Sequence, residues 1–249
     1  MKFKYVAGLA LIMAGTFLAF RGAVDANQSL VNAGIGGIFL GIVVLSFTTS
    51  DYIKVESFKR VVVPYSKFTA GIVESLNLKR KSIYIPPYNN MPDGGVFIPV
   101  NNDFDIDLGK IDENTFFLTD TGREREMGLV FRPLGADLSK EFQKYAEIDL
   151  LNSGLAAIDA ISSVLRAMGL AKSVHTDING DAIKIYIDGI RFREKCTDRC
   201  EQVACPICSS VLISLAKAFQ ELILVEEFEK TDRGVMISAR KIGGVEKWM

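Results

Sequence analysis

Two uncharged apolar runs fill the first fifth of the chain and decide how that part can be buried. Tyr5 to Phe20 is the first, and Ala26 to Ser50 contains the second. Residues 1–50 hold only four charged side chains, Lys2, Lys4, Arg21 and Asp25. The core of the second run, Leu30 to Phe47, is broken only by Asn32 and Ser46. As a helix it is about 27 Å long at ~1.5 Å per residue, close to a hydrocarbon core of ~30 Å. The first run spans about 24 Å by the same rise, a shortfall that either Arg21 snorkelling or local bilayer thinning can make up. One rival for the first run is a cleaved signal peptide, with Lys2 and Lys4 before it and Val24-Asp25-Ala26 as a small-residue site. A buried core helix is the rival for the second. A second apolar run so soon after the first, across the short polar loop Arg21–Ser29, favours a transmembrane helical hairpin.

The expected organisation follows from this start. Residues 1–50 form the hairpin, with helices over about 5–20 and 29–47. Lys and Arg lie at Lys2, Lys4, Lys54, Lys59 and Arg60 on the outer flanks, against Arg21 alone in the loop. This bias puts both termini in the cytoplasm of a two-span, multi-pass protein of the cell membrane. Gly37 and Gly41 form a G-x-x-x-G pair, which allows close helix contact within the hairpin or in a homo-oligomer. Residues 51–81 form a basic, helical juxtamembrane segment, with seven basic residues against three acidic. Such an excess is drawn to anionic lipid, or is simply a solvated helix face. Pro64 is expected to open a helix there, with Phe68, Ile72 and Leu76 as its apolar stripe.

The soluble part reads as α+β. Residues 82–135 form a small β-rich unit with short strands at Ser82–Ile85, Val96–Val100, Phe104–Leu108, Thr115–Leu118 and Gly128–Phe131, divided by Gly, Pro and Asn turns. Asp-Phe-Asp-Ile-Asp at 103–107 fails the calcium-loop spacing, and its alternation suits a strand with one wet face. Residues 136–249 read as an α+β domain. Its first helix has Leu138, Phe142 and Tyr145 as its stripe. Two helix–hairpin units follow: Leu155–Met168 with strands on either side of Asn179-Gly180, then a helix from Pro206 with strands Leu222–Phe228 and Gly234–Lys241. Ser-Ser-Val-Leu recurs at 162–165 and 209–212, which raises an internal duplication. An antiparallel four-stranded sheet with the two helices on one face buries both stripes.

The most specific chemical signal is the cysteine loop at 196–208. All four cysteines of the chain, Cys196, Cys200, Cys205 and Cys208, lie there as C-x3-C-x4-C-P-x-C. Three readings compete. Four thiolates suit zinc or an iron–sulfur cluster, although the spacing matches neither usual pattern. Structural disulfides are rare in a reducing cytoplasm. Redox chemistry is suggested by Cys205-Pro206-Ile207-Cys208 at a helix start, which looks like the active motif of glutaredoxins; no later proline completes a thioredoxin fold.

Other chemistry is absent from the sequence. There is no phosphate-binding loop and no dinucleotide glycine fingerprint. His175 is the one histidine, so multi-histidine metal sites are excluded. A formal net charge of -1 argues against a nucleic-acid partner. Arg123-Glu124-Arg125-Glu126 reads as a solvated turn, Asp159 as a wet helix edge and Trp248 as a tail anchor. Together with Tyr84-Ile85-Pro86-Pro87, Gly128–Gly135 and the cluster ending Cys205-Pro206-Ile207-Cys208-Ser209, the layout resembles uncharacterised archaeal membrane proteins with an N-terminal helical hairpin and a cysteine-containing cytosolic domain. That resemblance implies no particular activity. The expected function is therefore a membrane-anchored, non-enzymatic protein with a four-cysteine metal-binding or structural site. The alternatives are a membrane-bound thiol oxidoreductase using Cys205 and Cys208, or a scaffold holding a protein partner at the bilayer.

Overall fold

The computed structural model describes residues 2–46, 55–78, 80–119, 121–147, 149–151, 153–190 and 200–249. Cys196, Lys54 and Lys79 lie outside the described residues. The chain divides into two compact units, Met1–Phe58 and Lys59–Met249.

In the first unit, α1 (Lys2–Val24) and α2 (Gln28–Ser46) form an antiparallel hairpin. Both are long and apolar enough to cross a membrane, over Tyr5–Val24 and Gln28–Ser46. Asn27 sits between them and caps α2, its Oδ1 accepting from Ser29 N at 3.1 Å and Leu30 N at 3.3 Å. Small residues let the backbones touch. A Cβ added to Gly15 would lie 2.7 Å from Gly34 O, and one added to Gly41 would lie 2.6 Å from the Ile12 side chain. Gly37 also faces α1, with Gly15 Cα 3.1 Å from an added Cβ. The G-x-x-x-G pair therefore lines the contact inside one chain. The bulky side chains point away from it: Phe17 is 66% and Phe39 65% exposed, as are Leu9, Met13, Phe20, Ile35 and Leu40 to similar degrees.

In the second unit, eight strands form one antiparallel sheet. In chain order they are β1 (Ile83–Ile85), β2 (Gly95–Pro99), β3 (Phe117–Leu118), β4 (Gly128–Phe131), β5 (Ser173–Asn179), β6 (Ala182–Asp188), β7 (Glu221–Lys230) and β8 (Gly234–Gly244). Their spatial order is β3-β4-β2-β1-β7-β8-β6-β5. The four C-terminal strands are contiguous, and the β-rich segment joins them where Tyr84 pairs Ile223 and Ile83 pairs Leu224. Helices α4 (Ala136–Ala146), α5 (Ala156–Ala167) and α6 (Pro206–Phe219) all pack on one face. Tyr84, Val96, Ile98, Leu129, Ile185 and Ile237 point into that core. The alternate residues Ile83, Ile85, Phe97 and Val130 point the other way, into a smaller core closed by Ile106, Leu108, Ile111 and Leu118. The Tyr88 hydroxyl fastens this second layer, lying 3.0 Å from Leu108 O and 2.8 Å from Ile111 O. Both faces of β1 and β2 are thus covered, and their residues are buried throughout.

Local rules explain the helix and turn boundaries. Gly169 ends α5 with φ +66, and Gly180 turns the β5–β6 hairpin with φ +61. Several expectations are corrected. The sheet has eight strands rather than four, because β1 of the β-rich segment pairs with β7, and three helices rather than two pack on its face. Phe104–Leu108 is not a strand. Asp105 Oδ1 accepts from Ile106 N and Asp107 Oδ1 from Gly109 N, and the latter contact caps a short 3₁₀ turn at Leu108–Lys110. The helix α3 runs Val55–Ser75, straight through Pro64. Its buried anchor is Val73, followed by Leu78, whereas Phe68 is 67% exposed. Tyr145 is 65% exposed, and Ser139 faces inward in its place, its Oγ 2.7 Å from Ser214 Oγ on α6. Glu126 is buried, with Lys110 Nζ at 2.6 Å. The repeated Ser-Ser pairs do different jobs. Ser162 Oγ accepts from Val174 N at 3.0 Å, while Ser209 Oγ accepts from Gly135 N at 3.2 Å.

Candidate functional site: the thiol end of helix α6

Helix α6 is buried almost along its length, between the sheet and helices α4 and α5. Its N-terminus carries the cysteines. Cys205 is the N-cap, with extended backbone, and Pro206 occupies the first turn. The Cys205 carbonyl accepts from Ser209 N at 2.8 Å. Cys205 is half-buried, Cys208 is fully buried and Cys200 is 2% exposed. No disulfide links these three to one another.

Hydrogen bonds stitch this end of α6 to the segment leading into β1. Gln202 Nε2 donates to Leu78 O at 2.6 Å and to Arg80 O at 2.8 Å. Ser82 donates to Glu201 O through both its N and its Oγ, each at 3.0 Å. On the other side, Gly135 lies so close to α6 that an added Cβ would be 2.5 Å from Pro206 O. Tyr84 fills the space below. Burial pushes its phenol far above the ordinary range. A hydrogen bond shared with the Ser209 side chain opposes that shift, and Cys208, Cys205 and Cys200 reinforce it.

Among the described residues, no group of three or more His, Cys, Asp or Glu side chains is arranged to hold a metal ion. Cys205 and Cys208 lie on the first turn of α6, Cys200 precedes it in the chain, and Cys196 lies outside the described residues. His175, on β5, has an exposed side chain 3.4 Å from Asp177 Oδ1.

A second polar cluster has no motif in the sequence. Asp93, in the β1–β2 connection, accepts from Lys140 on α4 at 2.7 Å and from Arg132 at 2.9 Å. Arg132 also grips both oxygens of Asp137, at 3.0 and 2.5 Å. Beside them Lys217 of α6 is only 4% exposed, and burial pulls its amine below the ordinary lysine range. The one trace of this in the sequence is a lysine on a helix of Val211, Leu212, Leu215 and Phe219. A cavity of about 340 Å³ adjoins Asp93 and Arg132, with Asn114, Thr115 and Phe131 in its wall.

No curated protein and no solved structure matches the chain. Residues 4–240 match the family model described as domain of unknown function DUF7982, which takes in both apolar helices and the sheet as far as Arg240 on β8. The chain, from its apolar hairpin to its last strand, belongs to the DUF7982 family.

Proposed function

We propose that this chain is a two-span membrane protein, with both termini in the cytoplasm, whose hairpin tethers residues 59–249 to the inner side of the bilayer. The observation that carries this reading is the hairpin surface. Glycines take up the helix contact, while Phe17, Phe20, Phe39 and their apolar neighbours face outward. A surface of that kind in water is far beyond what soluble monomers display, and lipid is the solvent that suits it. The basic flanks supply the orientation. The tethered unit acts by holding a partner or ligand, and the four-cysteine segment serves as its structural thiol site, binding zinc or an iron–sulfur cluster if Cys196 completes it.

Topology mapping tests the tether. Single cysteines placed in the loop at Ala26 and at Met249, in a chain with its native cysteines replaced, are labelled in intact cells with an impermeant maleimide. Labelling at 26 alone is expected. Release of the protein by alkaline carbonate removes the membrane reading, and labelling at 249 alone reverses the orientation. Anaerobic elemental analysis with an absorption spectrum tests the thiols: stoichiometric zinc or iron supports the metal site, and neither metal excludes it.

A second reading is favoured by one observation. Cys205 is half-buried at the N-cap and Cys208 is buried on the first turn of the same helix. This suits a dithiol in which Cys205 attacks a disulfide substrate and Cys208 resolves the mixed disulfide. The two thiols become one disulfide, and the substrate leaves as two thiols. Alkylation of Cys205 at the rate of an ordinary exposed thiol across neutral pH counts against it.

A further inference from the structure

Strand β5 closes one end of the sheet and β3 closes the other. The two edges differ. β3 has two residues, whereas β5 has seven and pairs with β6 from Ser173 to Asn179 without a bulge. An edge of that length is usually blunted by proline, lysine or a bulge, because its outer row of N–H and C=O groups is a template for another strand. β5 carries none of these. Val174 marks the outer row, since its N–H turns away from β6 and donates to Ser162 Oγ at 3.0 Å. By the antiparallel alternation, Thr176 and Ile178 present their N–H and C=O groups on the same side. Both residues are partly exposed.

The sequence of this edge is self-complementary about Thr176. It reads Val174-His175-Thr176-Asp177-Ile178, with an apolar residue at each end and a base and an acid between them. Val174 and Ile178 face the helix-covered core, while His175 and Asp177 stand on the opposite, exposed face. We propose that β5 pairs antiparallel with β5 of a second copy of this chain, about a two-fold axis at Thr176, so that one sheet runs through both protomers. Thr176 N–H then donates to the carbonyl of the partner's Thr176, and Ile178 N–H to the carbonyl of the partner's Val174, while Val174 N–H keeps Ser162. Ile178 packs beside the partner's Val174. His175 stands opposite the partner's Asp177, in the kind of pair where side chains approach most closely. Moving the register by two residues would set either Asp177 against the partner's Asp177 or His175 against the partner's His175, so the charges select Thr176 as the centre. The two-fold axis makes every such contact twice from one surface. The inference stands on β5 alone, independently of the membrane reading.

The test uses the full chain. Light scattering in mild detergent is expected to give a dimer. Thr176→Pro removes the outward N–H without touching a bond to β6, and should weaken dimerisation about tenfold or more. Disulfide trapping checks the register. His175→Cys and Asp177→Cys are made in separate chains with their native cysteines replaced; both native side chains are exposed, so neither supports the core. Co-expressed and oxidised in membranes, the two variants should form a 175–177 disulfide, because the opposed Cα atoms lie about 4.5 Å apart. Either variant alone should not cross-link, since like positions lie on a diagonal of about 7–8 Å. A monomeric native chain overturns the proposal. A dimer that survives Thr176→Pro and gives no 175–177 cross-link also overturns it, because its interface then lies elsewhere. So does trapping of position 175 to a different protein, which would make the occupant a foreign strand. Should Thr176→Pro fail to fold, the cross-link decides alone, and its absence overturns the proposal.

Discussion

Lys140 on α4 meets the Asp93 carboxylate at 2.7 Å, closing the β1–β2 connection onto the helical layer. Burial alone would raise the Asp93 carboxyl, but the Lys140 and Arg132 hydrogen bonds outweigh it and hold the group below the usual carboxylate range. In the unfolded chain the group takes up its proton near the ordinary value of about 3.9. In the folded chain it does so at lower pH. The resulting stabilisation is complete above the ordinary carboxylate range and is lost as pH falls below it. Asp93→Asn should cost about 1–2 kcal/mol at neutral pH. It should also flatten the acid limb of the stability curve, measured by urea unfolding at stepped pH. An unchanged acid limb in the variant would exclude this role.

Lys217 gives a dependence of the same sign in the alkaline window, but from a destabilising cause. Its side chain is buried beside Asp93 with Lys140 and Arg132 nearby, and burial is the main cause of its lowered pKa. The folded chain therefore releases this proton at a lower pH than the unfolded chain does. Between those two values the unfolded state holds more protons, so stability rises with pH on the alkaline side. Lys217→Met fills the same volume without a charge. It should raise stability by about 1 kcal/mol or more at neutral pH and abolish the alkaline rise. Differential scanning calorimetry at neutral and alkaline pH reads both effects, and a destabilised variant would show that Lys217 makes a needed polar contact.

Gly135 is the point where α4 begins against α6. A Cβ there would collide with the Ser210 backbone and stand 2.5 Å from Pro206 O. Backbone cannot yield as a flexible side chain does, so Gly135→Ala must push α4 and α6 apart. A loss of about 2–3 kcal/mol is expected from denaturant unfolding. Near-wild-type stability would mean that the α4–α6 contact is softer than this geometry implies.

Much of this architecture is legible in the chain because its causes are local. Charge-free runs give the hairpin, Asn179-Gly180 gives a turn, and Gly169 gives a helix stop with φ +66. The pairing of Tyr84 with Ile223 is of another kind. Strand partners are chosen by long-range packing, and nothing near either residue names the other. Tyr145 has the spacing of a core residue but is 65% exposed, since the inward face of α4 turns Ser139 toward Ser214. Phe104–Leu108 alternates like a strand, yet its aspartates bond to nearby backbone instead. The cysteines were visible as a cluster because they come from one stretch of chain. The Asp93, Arg132 and Lys140 group was invisible because each member arrives from a different segment.

Gln202 ties the cysteine segment to the chain ahead of β1, donating to Leu78 O at 2.6 Å and Arg80 O at 2.8 Å. The residue is only 5% exposed, so both carbonyls depend on it. Gln202→Ala removes the donor and leaves two acceptors without their partner, which favours local opening of residues 200–205. Cys208 is fully buried and should react with a maleimide only through such an opening. Its alkylation rate, followed by mass spectrometry on the folded protein, should rise about tenfold in the variant. Cys205, already half-buried at the helix start, should change much less. Equal acceleration at both thiols would instead mean that the whole unit has loosened, and no acceleration would mean that the segment is held by Ser82 and Glu201 alone.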